Sequence, residues 1–346
     1  MKKVISIVLI LTFLAPAYLG AQPQYTTIYD AFQKGFCYAT WSPNSFSSRR
    51  SDESLEGIAD TGANCVQIVV TWYQEKFDST EIKRVDERSP SDKSIRHAIK
   101  KAHRLGMSVM LKPHIDLIKS EGNWRADIGF YEDADWNRWF NNYKKFITRY
   151  AQLAEREGVE FFCVGTELSY ASTKTDMWKE VVIPAVRKAY KGRVIYAANW
   201  DNYKNIKFWD ALDYAGIDAY FPLATKDDPT INELKEAWKK WVCEIENWQK
   251  TAQKPVIFTE AGYCSSEEAA KRPWEETFSG QVDLVLQARC YRALFETFYG
   301  KPWFRGLYWW KWNTYKGSGG KNHGRFTPQN KPALRYVELW YSQITS

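Results

Sequence analysis

The sequence predicts a single-domain (β/α)8 barrel of the α/β class, and three observations lead to that fold. Short apolar runs rich in valine, isoleucine and aromatic residues recur along the chain, and amphipathic segments lie between them. Several of these segments end at a glycine that suits a helix C-terminus, as at Gly106, Gly158 and Gly300. No glycine-rich phosphate turn follows the first run, which disfavours the alternative of an open doubly wound sheet.

The apolar runs predict eight strands, because near-continuous apolar runs are typical of parallel strands covered on both faces. The predicted strands are residues 35–41, 63–70, 107–113, 159–166, 193–198, 214–220, 255–260 and 305–312. The predicted helices are SIRHAIKKAHRL, DWNRWFNNYKKFITRYAQLAERE, TDMWKEVVIPAVRKAYK, NELKEAWKKWVCEIENWQKTAQ, SGQVDLVLQARCYRALFETFY and KPALRYVELWYSQI. We expect Pro184 to kink the third helix.

The first residues have the layout of a secretory signal peptide rather than of a folded domain. A basic start, an apolar run over residues 4–15 and small residues near Ala21 predict a signal peptide over residues 1–22. The barrel domain then covers residues 23–346, and we expect a secreted or periplasmic protein with no membrane association after cleavage. An uncleaved anchor is the alternative, although the run is short for a membrane span.

Charge and cysteine patterns exclude several classes of function. The formal charge of +7 comes from 48 basic and 41 acidic residues that are interleaved, so we expect no nucleic-acid partner. Six cysteines include no C-x-x-C, and the four histidines form no H-x-H, so we expect no metal and no cofactor. Cys37, Cys65 and Cys163 lie in apolar runs, and we expect mostly free thiols.

Two predicted strands lead into a glutamate. Glu167 follows the fourth strand and Glu260 ends the seventh, so a barrel would bring both to its C-terminal mouth. Two carboxyl groups about 5–5.5 Å apart cleave an acetal with retention, one as nucleophile and the other as acid and then base. A helix cap or a surface ion pair is the alternative for either residue alone.

The motifs GTEL at 165–168 and TEAGY at 259–263 resemble those of the clan A glycoside hydrolases. With YATWSPNSFSS, IVVTWYQ, LKPHID, GIDAYFPL and WWKWN, the chain is most similar to glycoside hydrolase family 113, whose characterised members are endo-β-mannanases. The resemblance implies that Glu167 is the general acid/base and Glu260 the nucleophile. Thr166 stands where most of the clan has an asparagine that binds the sugar 2-hydroxyl, which leaves that contact unassigned.

Further strand-end residues are candidates for binding substrate. The resemblance implies that Tyr220 bonds the nucleophile and that Trp309 or Trp310, with Trp310 preferred, forms a platform under the sugar. The remaining candidates share a position at the end of a predicted strand, where a packing role is the alternative. They are Trp41, Trp72, His114, Asp116, Thr166, Asn199, Trp200 and Lys311.

The sequence therefore predicts a monomeric retaining glycoside hydrolase acting on a β-linked polysaccharide or oligosaccharide, with β-1,4-mannan as the preferred substrate. The alternatives left open are a glycosidase for glucan or xylan, a sugar-binding barrel without catalysis, and a metal-dependent hydrolase that uses His114 and Asp116.

Overall fold

The structure is a computed structural model, and it describes residues 31–276 and 281–344. The signal peptide expected over residues 1–22 lies outside the described residues. The chain from residue 32 onward forms one compact unit.

Eight parallel strands form a closed barrel in which the strands follow one another in chain order. They are β1 (Gln33–Ala39), β2 (Cys65–Gln74), β3 (Ser108–Leu117), β4 (Phe161–Thr166), β5 (Arg193–Asn199), β6 (Tyr214–Asp218), β7 (Val256–Ala261) and β8 (Phe304–Asn313). β8 closes the ring by pairing with β1, where Gln33 faces Gly306. The predicted fold class is thus confirmed.

Seven α-helices surround the barrel in the described residues. They are α1 (Arg49–Asp60), α2 (Asp92–Arg104), α3 (Asp133–Arg156), α4 (Ile183–Ala189), α5 (Ile231–Ala252), α6 (Leu284–Phe298) and α7 (Pro332–Gln343). Between β5 and β6, where residues 200–213 are all described, two short 3-10 turns replace a helix. The regular alternation of strand and helix is therefore interrupted at this one connection.

Pro184 begins the regular part of α4 rather than kinking a continuous α-helix. The preceding segment, Met177–Val182, is a π-helical turn, and Pro184 occupies the first turn of α4. A proline lacks an N–H to donate, which costs least in the first turn of a helix.

β2 and β3 extend beyond their predicted ends at residues 70 and 113 because they pair with each other as far as Gln74 and Leu117. Outward side chains of the strands pack against the helices, where Trp139 and Trp238 are fully buried. All six cysteines are free, and only Cys243 is exposed, as expected for thiols that pack as small core residues. None of the helices in the described ranges is long and apolar enough to cross a membrane.

The closure of the barrel predicts a stability difference between two glycines. An alanine at Gly306 would place its Cβ 2.5 Å from the Gln33 carbonyl oxygen on β1, whereas at Gly300 it would meet nothing within 4 Å. Both residues have positive φ, where an L side chain is disfavoured, so both variants carry a backbone cost as well. We expect Gly306→Ala to lose about 1–3 kcal/mol more free energy of unfolding than Gly300→Ala, because this is the usual cost of overpacking. Denaturant unfolding of the two variants measures the difference, and equal stabilities would contradict the packing argument.

Candidate active site

A cleft of about 570 Å³ opens at the C-terminal ends of the strands, within the size range of sites for small ligands. Its walls carry aromatic side chains, and its polar groups include two glutamates from opposite parts of the ring. The lining residues are Trp124, Arg125, Glu167, Asn199, Trp200, Asp201, Tyr220, Glu260, Trp274, Glu276, Trp310 and Phe326. Glu167 and Glu260 therefore face the same space.

Glu167 turns into the cleft directly after β4. Its backbone has a left-handed conformation, with φ of 51°, which is uncommon for a residue other than glycine. Its amide donates a hydrogen bond to the Ala197 carbonyl oxygen at 2.8 Å, so β5 anchors the turn. The side chain is buried and accepts a hydrogen bond from Arg125 Nη1 at 3.0 Å.

The surroundings of Glu167 favour its neutral form. Burial, together with the nearby charges of Asp218 and Glu260, raises the pKa of Glu167 to about 8, against the lowering effect of Arg125. Arg125 is also held by the Ile115 carbonyl oxygen at 3.1 Å and by the Asp116 carboxylate. A carboxyl group with such a pKa is protonated near neutral pH and is able to donate a proton.

Glu260 has the opposite surroundings, since its two carboxylate oxygens both accept hydrogen bonds. Oε1 accepts from the Lys112 ammonium at 2.7 Å, and Oε2 accepts from the Tyr220 hydroxyl at 2.7 Å. An opposite charge and donated hydrogen bonds both favour the ionised form of a carboxyl group. The site thus combines one carboxyl group with a raised pKa and another held by an ammonium and a hydroxyl group.

His114 is buried beside Glu260 and is not among the residues that line the cleft or the basins. Its Nε2 atom is 3.9 Å from Glu260 Oε1 and has no hydrogen-bond partner among the described residues. Burial and the nearby positive charges lower the pKa of His114 well below its ordinary value, so the ring is neutral. Its ring lies parallel to the indole of Trp310, with centroids 6.3 Å apart.

Two basins adjoin the cleft and share lining residues with it. The β1–β3 basin, of about 470 Å³, is lined by Trp41, Tyr73, Arg88, Asp116, Leu117, Ser120, Asn123, Trp124 and Arg125. The β4–β5 basin, of about 480 Å³, is lined by Trp124, Ala126, Asp127, Ser169, Tyr170, Thr173, Asn199, Asp201, Asn202 and Asn205. The cleft and the two basins, which together are called the groove, meet at Trp124, because this residue lines all three.

Exposed tryptophans concentrate along this groove. In the described ranges the exposed indoles are those of Trp41, Trp124 and Trp274, each at least 41% exposed, and all three line the cleft or a basin. Trp274 stacks on Trp200 at 5.7 Å with an angle of 12° between the rings. Exposed flat rings of this kind suit stacking on the apolar faces of sugars.

Several predicted site residues reach the groove, and others do not. Glu167, Glu260, Asn199, Trp200, Tyr220 and Trp310 line the cleft, whereas Trp41 and Asp116 line the β1–β3 basin. Trp309 is fully buried and stacks on Tyr291 at 3.8 Å, so Trp310 is the residue that faces the cleft. Lys311 lies between the walls, with Nζ 4.6 Å from the Trp41 ring centroid and 2.9 Å from Glu276.

The expectation for Trp72 is wrong by one residue. Its indole donates to the Tyr150 hydroxyl on α3 at 2.6 Å and packs on Phe146, away from the cleft. Side chains alternate along a strand, so the next residue, Tyr73, faces the β1–β3 basin. Thr166 also lies outside the cleft lining, because it is buried with its hydroxyl 3.6 Å from Cys163 Sγ.

Lys112, Asp218 and Arg125 contact the two glutamates or their partners, and sequence reasoning missed all three. Lys112 stands two residues before His114 in LKPHID, so alternation along β3 places Lys112, His114 and Asp116 on one face. A lysine or aspartate within an apolar strand also indicates a buried charge with a partner of opposite sign, since an unpaired charge is rarely buried. Arg125 lies in the loop before α3, and no sequence pattern pairs it with Glu167.

The described residues contain no group of three or more histidine, cysteine, aspartate or glutamate side chains arranged to hold a metal ion. Asp116, which a metal site would share with His114, is instead engaged by Arg125.

Comparison with known proteins relates the chain to one family. The sequence profile described as Glycoside Hydrolase Family 113 matches residues 36–331. Comparison with curated protein sequences finds no match.

Three solved structures of that family are similar over almost their whole length. A complex of a GH113 beta-1,4-mannanase is 30% identical, with coverage of 90% of this chain and 99% of the other and a TM-score of 0.82. The GH113 beta-mannanase AaManA from Alicyclobacillus acidocaldarius in complex with ManMIm is 28% identical, covering 91% and 98%, with a TM-score of 0.82. A further GH113 beta-1,4-mannanase is 32% identical, covering 90% and 99%, with a TM-score of 0.81. A beta-glucuronidase from Ruminococcus gnavus, 14% identical with coverage of 90% and 50% and a TM-score of 0.61, shares the fold alone.

The ion pair between Arg125 and Glu167 predicts the direction of a pKa change. Arg125 lowers the pKa of Glu167, so Arg125→Gln should raise that pKa further above about 8. Carboxyl NMR titration of glutamate-labelled protein measures this shift. Arg149→Gln is the control, because Arg149 pairs with Asp92 on the surface and should leave the resonance unchanged. An unchanged or lowered pKa in Arg125→Gln would refute the electrostatic account.

Proposed function

The chain belongs to glycoside hydrolase family 113, and from this we propose that it is a retaining endo-β-1,4-mannanase in which Glu167 is the acid/base and Glu260 the nucleophile. The observation that carries the proposal is the pair of buried glutamates on one cleft with opposite electrostatic surroundings. Two carboxyl groups of this kind supply the whole chemistry of glycoside cleavage, and no cofactor takes part in the proposed reaction.

In the first step, Glu260 attacks the anomeric carbon and an ester bond forms as the glycosidic C–O bond breaks. Glu167 donates its proton to the departing oxygen, which leaves as a hydroxyl group. The Tyr220 hydroxyl and the Lys112 ammonium, both 2.7 Å from Glu260, keep the nucleophile ionised and oriented before attack.

In the second step, water attacks the ester and Glu167 takes the proton from that water. The negative charge of Glu260 contributes to the raised pKa of Glu167. Esterification removes that charge, so the pKa of Glu167 falls at the stage when it must act as a base. The same carboxyl group thereby serves as acid and then as base.

The groove supports cleavage within a polysaccharide chain. The β1–β3 basin and the β4–β5 basin each share lining residues with the cleft, so space for further sugar residues adjoins the glutamates. The three family members described above are mannanases, which favours mannan among β-linked polymers. Export guided by residues 1–22 and a monomeric state remain predictions from the sequence.

One observation favours a second candidate, a sugar-binding barrel without catalysis. Such a protein would hold one of the two acids in an ion pair, and Glu167 does accept a hydrogen bond from Arg125 at 3.0 Å. The raised pKa of Glu167 argues for catalysis, since this pairing does not keep the carboxyl group ionised at neutral pH. Turnover of an aryl β-mannoside separates the two candidates.

Replacement of either glutamate tests the assigned roles. We expect Glu167→Ala to reduce mannan hydrolysis by about 10²–10⁴-fold, the contribution of a general acid/base, and Glu260→Ala to abolish most of it. Azide should restore turnover of an activated aryl mannoside, giving the β-azide with Glu167→Ala and the α-azide with Glu260→Ala. Glu236→Ala, an exposed change on α5, is the control. A wild-type rate in either active-site variant would overturn the assignment.

Substrate and stereochemistry are tested with the unmodified protein. We expect mannan to be cleaved faster than glucan or xylan, with a rapid fall in viscosity and a range of oligosaccharides as early products. Proton NMR of the first products should show the β-anomer, as retention requires. Release of monosaccharide alone would refute the endo mode, and the α-anomer would refute double displacement.

A further inference from the structure

A lysine is fully buried inside the barrel and lies between two carboxylates. Lys112 Nζ is 2.7 Å from Glu260 Oε1 and 3.0 and 3.2 Å from the two oxygens of Asp218. The side chains of Lys112 and Asp218 have no exposed surface, and that of Glu260 is 4% exposed. Such a cluster is held by its own charges, because each group without its partners would be a desolvated ion.

The contacts of this cluster cross the interior of the barrel. Lys112 is on β3, whereas Asp218 ends β6 and Glu260 lies on β7, so the bonds connect strands that are not neighbours. The Thr259 hydroxyl also donates to Asp218 Oδ1, at 2.7 Å. Asp218 is therefore oriented by two donors, and the proposed chemistry gives it no reacting partner.

We propose that Lys112 is a positioning residue that divides its charge between the nucleophile Glu260 and the spectator carboxylate Asp218. Before attack, Lys112 holds Glu260 ionised and fixes Oε1. After Glu260 becomes an ester, Lys112 stays protonated and keeps its two bonds to Asp218, so no buried ammonium is left without a counter-ion. This inference rests on the proposed function, because it takes Glu260 to be the nucleophile.

The other titratable groups around the cluster stay uncharged at working pH. Burial raises the pKa of the thiols of Cys37 on β1 and Cys163 on β4. Burial likewise raises the pKa of the Tyr220 hydroxyl and lowers that of His114. Lys112 itself keeps a pKa above its ordinary value, because Asp218 and Glu260 outweigh the effect of burial.

The remaining charges near the cluster belong to the acid/base, namely Glu167 and its partner Arg125. Burial and Glu260 raise the pKa of Asp218, and Lys112 opposes them. Removal of Lys112 therefore leaves two adjacent buried carboxylates that compete for one proton, whereas removal of the Asp218 charge leaves the ammonium to Glu260 alone.

Two variants test the proposal through pH shifts of opposite sign. The acidic limb of the kcat/KM profile reports ionisation of the nucleophile in the free enzyme. Lys112→Met should move this limb to higher pH by about one unit or more. At pH values below the limb, kcat/KM should fall by roughly 10- to 100-fold. Asp218→Asn should move the same limb to lower pH. The double variant, which keeps the net charge of the cluster, should return the limb towards the wild-type position while kcat stays reduced.

Lys34→Met is the matched control. Lys34 is also buried, on β1, but its ammonium donates to the carbonyl oxygens of Tyr341 and Ile344 at 3.0 and 3.2 Å. Lys34→Met should change the free energy of unfolding and leave the acidic limb of the kcat/KM profile at its wild-type pH. If Lys112→Met does not fold, Asp218→Asn alone tests the proposal. A shift of its acidic limb to lower pH supports the proposal, and no shift or a shift to higher pH contradicts it.

The outcomes separate this inference from the proposed function. If the wild-type protein is inactive on mannosides, or Glu260→Ala keeps its activity, the proposed function fails. If Glu260 is essential but Lys112→Met and Asp218→Asn leave the acidic limb unmoved, or move it in the same direction, the role given to Lys112 is overturned and the proposed function stands.

Discussion

One constraint governs the site: the carboxyl groups buried at the barrel mouth outnumber the cations that pair with them. Glu167, Asp218 and Glu260 come from β4, β6 and β7, and all three lie below 9% exposure. Both cations that pair with them come from β3 and the loop after it, as Lys112 and Arg125. Since an unpaired ion is costly away from water, the positions of these charges are coupled to each other.

Only a closed ring of parallel strands provides these pairings. The bond from Lys112 to Glu260 joins β3 to β7 across the interior, which an open sheet would not bring together. Parallel strands in a barrel also place all their C-terminal ends at one mouth, so residues far apart in sequence meet there. The closure between β1 and β8 at Gly306 is thus a condition for the site as well as for the fold.

Periodicity made the barrel predictable, whereas charge pairing made part of the site unpredictable. Apolar runs identified every strand, and both Glu167 and Glu260, at the ends of two such runs, line the cleft. The choice of Trp72 rather than Tyr73 failed because the register of side chains at a strand end is set by pairing with β3. Arg125 was not predictable, because its contacts to Asp116 and Glu167 exist only after the loop has folded against the barrel.

The two proposed catalytic glutamates have parallel arrangements. Glu260 shares Lys112 with Asp218, and Glu167 shares Arg125 with Asp116. In each case a second carboxylate, outside the proposed chemistry, retains the cation when the glutamate loses its charge. A cation with only the glutamate as partner would stabilise the ionised state and oppose both protonation of Glu167 and esterification of Glu260. Sharing the cation reduces that opposition, so each glutamate is able to change charge during the reaction within a buried site.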